Sequence, residues 1–294
     1  MSYAAPEFAH LSLLLNPDKT KLSKRQGHVA VEEYISEGYI KEAIINFVAF
    51  LGWNPGEGEE KEIFTLKELE EIFDFKHVHK AGAIFNIEKL DWFNWKWQKK
   101  FHLDELEKIA RETEETVVIE TTQKDQKNFK FSSSANEEKF LKLRGEKLKN
   151  FCEKYMSEEI KKDPRLTKML VTIEEKILRE PKNINDNLDF YFNLTNYPKE
   201  LLTHEKLGVD LNQAQTALGK ALTALNNLKD WDLKTIEKTL FEIIEELKVK
   251  NGQVLWPLRS ALSGLTFSPG TFEIAWALGK EETEKRIKTA LEKI

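Results

Sequence analysis

Apolar residues at helical spacing constrain this chain more than any other feature. Ala214, Ala217, Leu218, Ala221, Leu222, Leu225 and Leu228 recur at three- and four-residue intervals, and Leu233, Ile236, Leu240, Ile243, Ile244 and Leu247 repeat the pattern. Each stripe covers one face of an α-helix and needs a partner face to bury against. Asp232 is placed to cap the second helix and Gly252 lies beyond its end, so two packed helices are expected. The same spacing in Ile40, Ile44, Ile45, Phe47, Val48 and Leu51 predicts a helix over 40–51, stopped by Gly52, Pro55 and Gly56. Thr65 followed three residues later by Glu68 has the capping-box pattern, and Leu66, Leu69, Ile72 and Phe73 mark the stripe of the short helix it opens. Helices are also expected over 103–111, 135–156 and 281–292, the last after a chain reversal at Ser268-Pro269-Gly270. Short β-branched segments such as Thr116-Val117-Val118-Ile119 are the only strand candidates. Thr121 to Ser134 is polar without periodicity and reads as a mobile insertion. The fold class is mostly α.

Composition narrows the function. With 294 residues, 40% of them hydrophobic, the chain can bury real cores, and no apolar run approaches the ~18 residues of a membrane span. No basic segment followed by an apolar one opens the sequence, so secretion is not expected and the cytoplasm is the expected compartment. A single cysteine, Cys152, excludes an intramolecular disulfide framework and a cysteine-rich zinc site; it reads as a buried structural thiol. The 45 basic residues against 50 acidic ones, net −5, argue against indiscriminate coating of nucleic acid but leave room for a local basic face. His77 and His79 stand two apart with no third ligand in view, so no metal is expected. Trp92, Phe93, Trp95, Trp97 and Phe101 interleave with Lys96, Lys99 and Lys100. Such a pattern suits base stacking with phosphate neutralisation, but it suits an aromatic core with a solvated lysine rim better. No long heptad pattern is present, and a monomer is expected.

The chemistry concentrates in Lys19-Thr20-Lys21-Leu22-Ser23-Lys24-Arg25, four cations in seven residues. Preorganised cations stabilise a transferring phosphoryl or adenylyl centre, although a short basic run by itself reads as a solvated loop. Lys21-Leu22-Ser23-Lys24-Arg25 resembles the second signature motif of class I aminoacyl-tRNA synthetases. Pro6-Glu7-Phe8-Ala9-His10 upstream, with Gly27-His28-Val29-Ala30-Val31, Glu42-Ala43-Ile44-Ile45-Asn46-Phe47 and Leu51-Gly52-Trp53 downstream, is similar to bacterial glutamyl-tRNA synthetases in order and spacing. So are Phe85-Asn86-Ile87-Glu88-Lys89-Leu90 and Leu255-Trp256-Pro257-Leu258-Arg259-Ser260.

The resemblance implies four parts: a catalytic-domain remnant with the signature loop (1–28), a helical stem-contact domain (29–110), and two subdomains of an all-helical anticodon-binding cage (111–195, with the insertion, and 196–294). It implies a catalytic motif of Lys21, Ser23, Lys24 and Arg25. There Lys24 holds the ATP phosphates and stabilises the pyrophosphate leaving group, Lys21 assists, and Ser23 takes no chemical step. It also implies that Arg259 meets the anticodon and that Ser268, Pro269, Thr271 and Phe272 line the base pocket. By their residue types alone, Phe272 reads as core and Pro269-Gly270 as a turn. Arg179 or Lys182 would read the third anticodon base, and service of tRNA(Gln) besides tRNA(Glu) stays open. No His-x-Gly-His signature and no glycine-rich phosphate loop occurs in the 294 residues. A C-terminal portion is therefore expected, binding tRNA(Glu) without cofactor and making no glutamyl-adenylate; glutamate and ATP with Mg belong to the complete enzyme. A free-standing tRNA-binding module is the alternative, and a class I lysyl-tRNA synthetase ranks last.

Overall fold

The computed structural model describes residues 8–23, 30–56, 61–122 and 127–294. Among them the chain is mostly α, with fourteen α-helices and two two-stranded sheets. It divides into two units, Met1–Asp104 and Glu105–Ile294. None of the described helices is long and apolar enough to cross a membrane.

In the first unit, β1 (Leu14–Leu15) and β2 (Ala83–Ile84) pair in parallel, Leu14 opposite Ala83. The helices are α1 (Val31–Glu37), α2 (Lys41–Ala49), α3 (Leu66–Ile72) and the start of α4 (Ile87–Thr113). The apolar spacing of α2 buries Ala43, Ile44 and Phe47 against Leu90, Phe93 and Trp97 of α4. Asn46 is fully buried in this contact, and each of its polar groups has a partner. It donates to the Glu62 carbonyl (3.0 Å) and accepts from the Phe64 amide (2.9 Å) and the Trp97 indole (3.1 Å). A buried amide left unpaired would cost the desolvation of its polar groups, so these bonds fix one register between α2 and α4. The capping box forms as expected: the Thr65 hydroxyl accepts from the Glu68 amide while the Glu68 carboxylate accepts from the Thr65 amide. The stripe expected behind it is thinner than its spacing suggests, since only Leu69 is buried while Leu66, Ile72 and Phe73 are exposed.

The second unit opens with a correction. The described residues of the expected insertion are structured: β3 (Val118–Thr121) and β4 (Lys127–Lys130) pair antiparallel with Val118 opposite Lys130. Phe129 in β4 and Phe131 just past its end both pack on Phe140 at 4.9 and 5.0 Å. Phe140 lies on α5 (Ser134–Cys152), which stops four residues short of the expected end. Next come α6 (Glu158–Lys161), α7 (Leu166–Thr172), α8 (Glu174–Arg179) and α9 (Ile184–Phe192). Helices α5 and α7 approach so closely that a Cβ on Gly145 would sit 2.5 Å from the Thr167 carbonyl oxygen. Cys152 is fully buried, its thiol donating to the Leu148 carbonyl, and burial pushes its pKa up to about 12.

The C-terminal helices are α10 (Leu211–Asn226), α11 (Leu233–Leu247), α12 (Asn251–Ser263), α13 (Thr271–Leu278) and α14 (Lys280–Leu291). Asp232 caps α11 as expected, accepting from the Thr235 amide and hydroxyl. Gly252 does not end that helix. Lys248 does so in the left-handed conformation, and Gly252 sits in the first turn of α12, where a Cβ would meet Leu207 at 3.0 Å. Arg286 of α14 is 1% exposed and closes the bundle. It donates to the carbonyls of Phe190 (2.7 Å), Leu262 (2.7 Å) and Tyr191 (3.0 Å) and pairs with Glu282 (2.8 Å), joining the ends of α9 and α12.

Candidate nucleic-acid interface

Gly252, Leu255, Trp256 and Arg259 stand at i, i+3, i+4 and i+7, so α12 presents them on one face. Across from them runs the first turn of α13, with Thr271, Phe272 and Glu273. The two elements, with Leu207 and Gly270, enclose a surface cavity of about 350 Å³, at the small end of the ~300–1,000 Å³ range of ligand pockets. Its walls are rigid for identifiable reasons. The Trp256 indole donates to the carbonyls of Leu201 and Thr203, and the His204 ring meets it edge-on at 4.3 Å. The Arg259 guanidinium lies 4.6 Å from the centre of the Trp256 ring and donates to the Thr266 carbonyl (3.1 Å). Partial burial lowers its pKa, but an arginine starts high enough to stay cationic. Thr271 donates to the Leu255 carbonyl (3.0 Å), tying α13 to α12, and Phe272 packs on Phe241 of α11 at 5.5 Å.

Glu273 brings the one carboxyl in the lining. Burial raises its pKa, and Oε2 is buried with no hydrogen-bond partner. That oxygen occupies the space a side chain at Gly270 would need, 2.1 Å from an ideal Cβ. A cation over an indole, a carboxyl and apolar walls suit a planar, partly apolar ligand with hydrogen-bonding edges. Lys206, next to Leu207 in sequence, and Lys250, two residues before Gly252, are exposed.

Of the sequence-derived candidates, Arg259, Thr271 and Phe272 meet around this cavity, while Ser268 and Pro269 stand in the loop before α13 and do not line it. Phe272 is half-buried, so it is partly core and partly wall. Arg179 ends α8 and Lys182 sits in the turn Pro181–Asn183; both are exposed and outside the cavity lining. Lys21 is exposed and bridges Leu15, and Ser23 is half-buried; Lys24 and Arg25 lie outside the described residues. Trp256 and Glu273 lacked a site assignment from sequence. The four-residue face ending at Arg259 was the available signal for Trp256, and the second residue after Thr271 on the same helical turn that for Glu273. Leu207 enters from a short 3₁₀ turn and had no signal.

In the aromatic row of α4, Phe93 and Trp97 are core. Lys89 and Lys96 cover Trp92, Lys96 and Lys99 stand over Trp95, and Lys100 over Trp97, at 3.9–5.6 Å. His77 pairs with Asp74, and His79 with Asn54; among the described residues no group of three or more His, Cys, Asp and Glu could hold a metal ion.

Residues 138–291 match the family of the "Anticodon binding domain", and residues 1–92 match "tRNA synthetases class I (E and Q), catalytic domain". The helical cage is thus that of a class I aminoacyl-tRNA synthetase. A glutamate–tRNA ligase of Clostridium tetani is 36% identical over 292 residues, 98% of this chain and 50% of the relative, and one of Clostridium kluyveri is 36% identical over 99% and 51%. A solved glutamate tRNA ligase from Elizabethkingia meningosepticum, in complex with its amino acid, is 28% identical and superposes with a TM-score of 0.57. That match covers 99% of this chain and 52% of that one. The chain belongs to the glutamate–tRNA ligase family and spans about half the length of the curated relatives it matches.

Proposed function

We propose that this chain binds tRNA(Glu) through the mostly helical second unit, with one unpaired anticodon base held in the α12–α13 cavity, in the service of glutamate attachment to tRNA. The observation that carries this is the convergence of Arg259 of α12 with Thr271 and Phe272 of α13 around one cavity of about 350 Å³. An unstacked base has π faces for Trp256 and Phe272 and polar edges for Arg259, Thr271 and Glu273. Association begins electrostatically, with exposed lysines such as Lys206 and Lys250 meeting phosphates, and ends in base readout. Residues 29–110 serve as the stem-contact part.

In the complete reaction, ATP with Mg supplies the adenylyl group that activates glutamate. Lys21, exposed on its bridged loop, with Lys24 and Arg25 of the same motif, would balance phosphate charge there. Residues 1–294 alone contain no His-x-Gly-His signature; by themselves they bind tRNA as a cytoplasmic-type monomer and form no glutamyl-adenylate. The test is a salt-controlled titration with tRNA(Glu), tRNA(Gln) and tRNA(Glu) carrying an altered anticodon, beside an ATP–pyrophosphate exchange assay. Preference for tRNA(Glu) that vanishes with the anticodon, and no exchange, are expected. Equal binding of tRNA(Glu) and tRNA(Gln) would mean relaxed selection. Equal binding of all three would refute base readout, and exchange activity would refute the inactivity.

A further inference from the structure

We infer that Phe267 is a stacking platform for a second unpaired nucleobase, next to the one held in the cavity; the inference rests on the anticodon-binding proposal above. Phe267 is 84% exposed, whereas the next most exposed aromatic named among the large hydrophobics of the second unit, Phe151, is 38% exposed. A lone exposed apolar side chain is ordinary. This one is set apart by how its loop is held.

The loop leaves α12 through Gly264, in the left-handed conformation at φ +68°, where a Cβ would press on the Thr195 carbonyl at 3.2 Å. The Ser263 hydroxyl accepts from the Leu265 amide (3.2 Å), and the Thr266 carbonyl accepts from Arg259 (3.1 Å). Pro269 and Gly270 then lead into α13, with Gly270 in the cavity lining. The backbone before Phe267 is therefore fastened to the cavity wall, the chain after it runs into that wall at Gly270, and the ring is left in solvent. The residue before it is fixed by the same guanidinium that faces the cavity. A strand with one base against Arg259 and Trp256 meets the Phe267 ring at the rim. Every base has a π face, so a phenyl ring there adds affinity without reading sequence. Arg259 consequently has two tasks, contacting the first base and holding the platform for the second.

The test uses the full chain and a hairpin RNA carrying the tRNA(Glu) anticodon loop, with 2-aminopurine placed in turn at each position of the loop. Wild type and Phe267→Trp are expected to change the fluorescence at one position. Phe267→Ala and Phe267→Leu should lose that change together with about 5- to 100-fold in affinity. Their thermal unfolding should match wild type, because the ring is already in solvent. Phe267→Ala binding like wild type, while Arg259→Ala loses anticodon preference, would overturn the platform and leave the cavity proposal standing. Full affinity in Phe267→Leu would also overturn it, since the contact would be merely apolar. Self-association of wild type that Phe267→Ala abolishes would assign the ring to a second copy instead. A wild-type chain with no preference for the anticodon hairpin would overturn the cavity proposal, and the platform with it.

Discussion

Replacing Arg286 by Met is expected to loosen the second unit without touching the cavity directly. The guanidinium is 1% exposed and holds three backbone carbonyls, those of Phe190, Leu262 and Tyr191, besides Glu282. Methionine fills much of the volume but donates nothing, so three buried acceptors and one carboxylate lose a charged donor. Orphaned buried groups cost roughly 1–3 kcal/mol each, and removing one partner of a buried ion pair costs about 3–5 kcal/mol. Burial lowers the Arg286 pKa, which marks a desolvation cost that its removal recovers. The net loss should therefore stay near the pair value, about 3–5 kcal/mol, rather than the sum of all bonds. In a unit of this size that corresponds to a melting point lower by about 6–20 °C. Arg286→Lys should recover little, since one ammonium does not reproduce the planar fork. Amide hydrogen exchange read peptide by peptide is the assay, because it separates the units. Protection in α9 and the last turn of α12 should fall by about two to four orders of magnitude, while α2 stays as in wild type. A loss below about 1 kcal/mol in α9 and α12 would refute the reasoning.

Three further outcomes follow from the packing. Gly145→Ala puts a Cβ 2.5 Å from the Thr167 carbonyl, which is backbone and cannot swing away; chemical denaturation should report a loss of about 1–3 kcal/mol, and an unchanged midpoint would contradict the α5–α7 contact. Glu273→Gln should stabilise the fold at neutral pH. Burial raises the folded pKa above the ordinary value of 4.5, so the native state holds the proton more tightly and stability falls as pH climbs from that value through the raised one; denaturation at a series of pH values should show the benefit of Gln fading below the ordinary carboxylate range. Cys152, with its thiol pushed up to about 12, should not react with a thiol-disulfide reagent at pH 8 until denaturant is added, and fast labelling of the native protein would contradict its burial.

Much of the helical architecture is legible in the apolar spacing, since α10 and α11 each present one stripe to one partner layer. It fails where two signals compete. Gly252 looks like a helix stop because glycine frees the backbone, yet its use here is the near contact with Leu207, which only the fold reveals. The stretch 121–134 looks aperiodic because a three-and-four rule misses the two-residue period of Phe129 and Phe131. The long α4 was legible only over 103–111, because its first turns carry aromatics all round, Phe93 and Trp97 inward and Trp92 and Trp95 under lysines. At the cavity, Arg259, Thr271 and Phe272 were found through family-like segments. Trp256 and Glu273 required the fold, since what places them in the wall is the facing of α12 and α13.

The most direct test compares wild type with Arg259→Ala in binding to tRNA(Glu) and to tRNA(Glu) altered at each anticodon position in turn, at one fixed salt concentration. If the cavity reads a base, wild type discriminates at that position by about 1–3 kcal/mol and Arg259→Ala loses the preference at that position and at no other, with its salt slope reduced by no more than about one phosphate contact. Uniform weakening across all the tRNAs, with every preference intact, would contradict base readout by Arg259 and reduce it to a general cation on the surface.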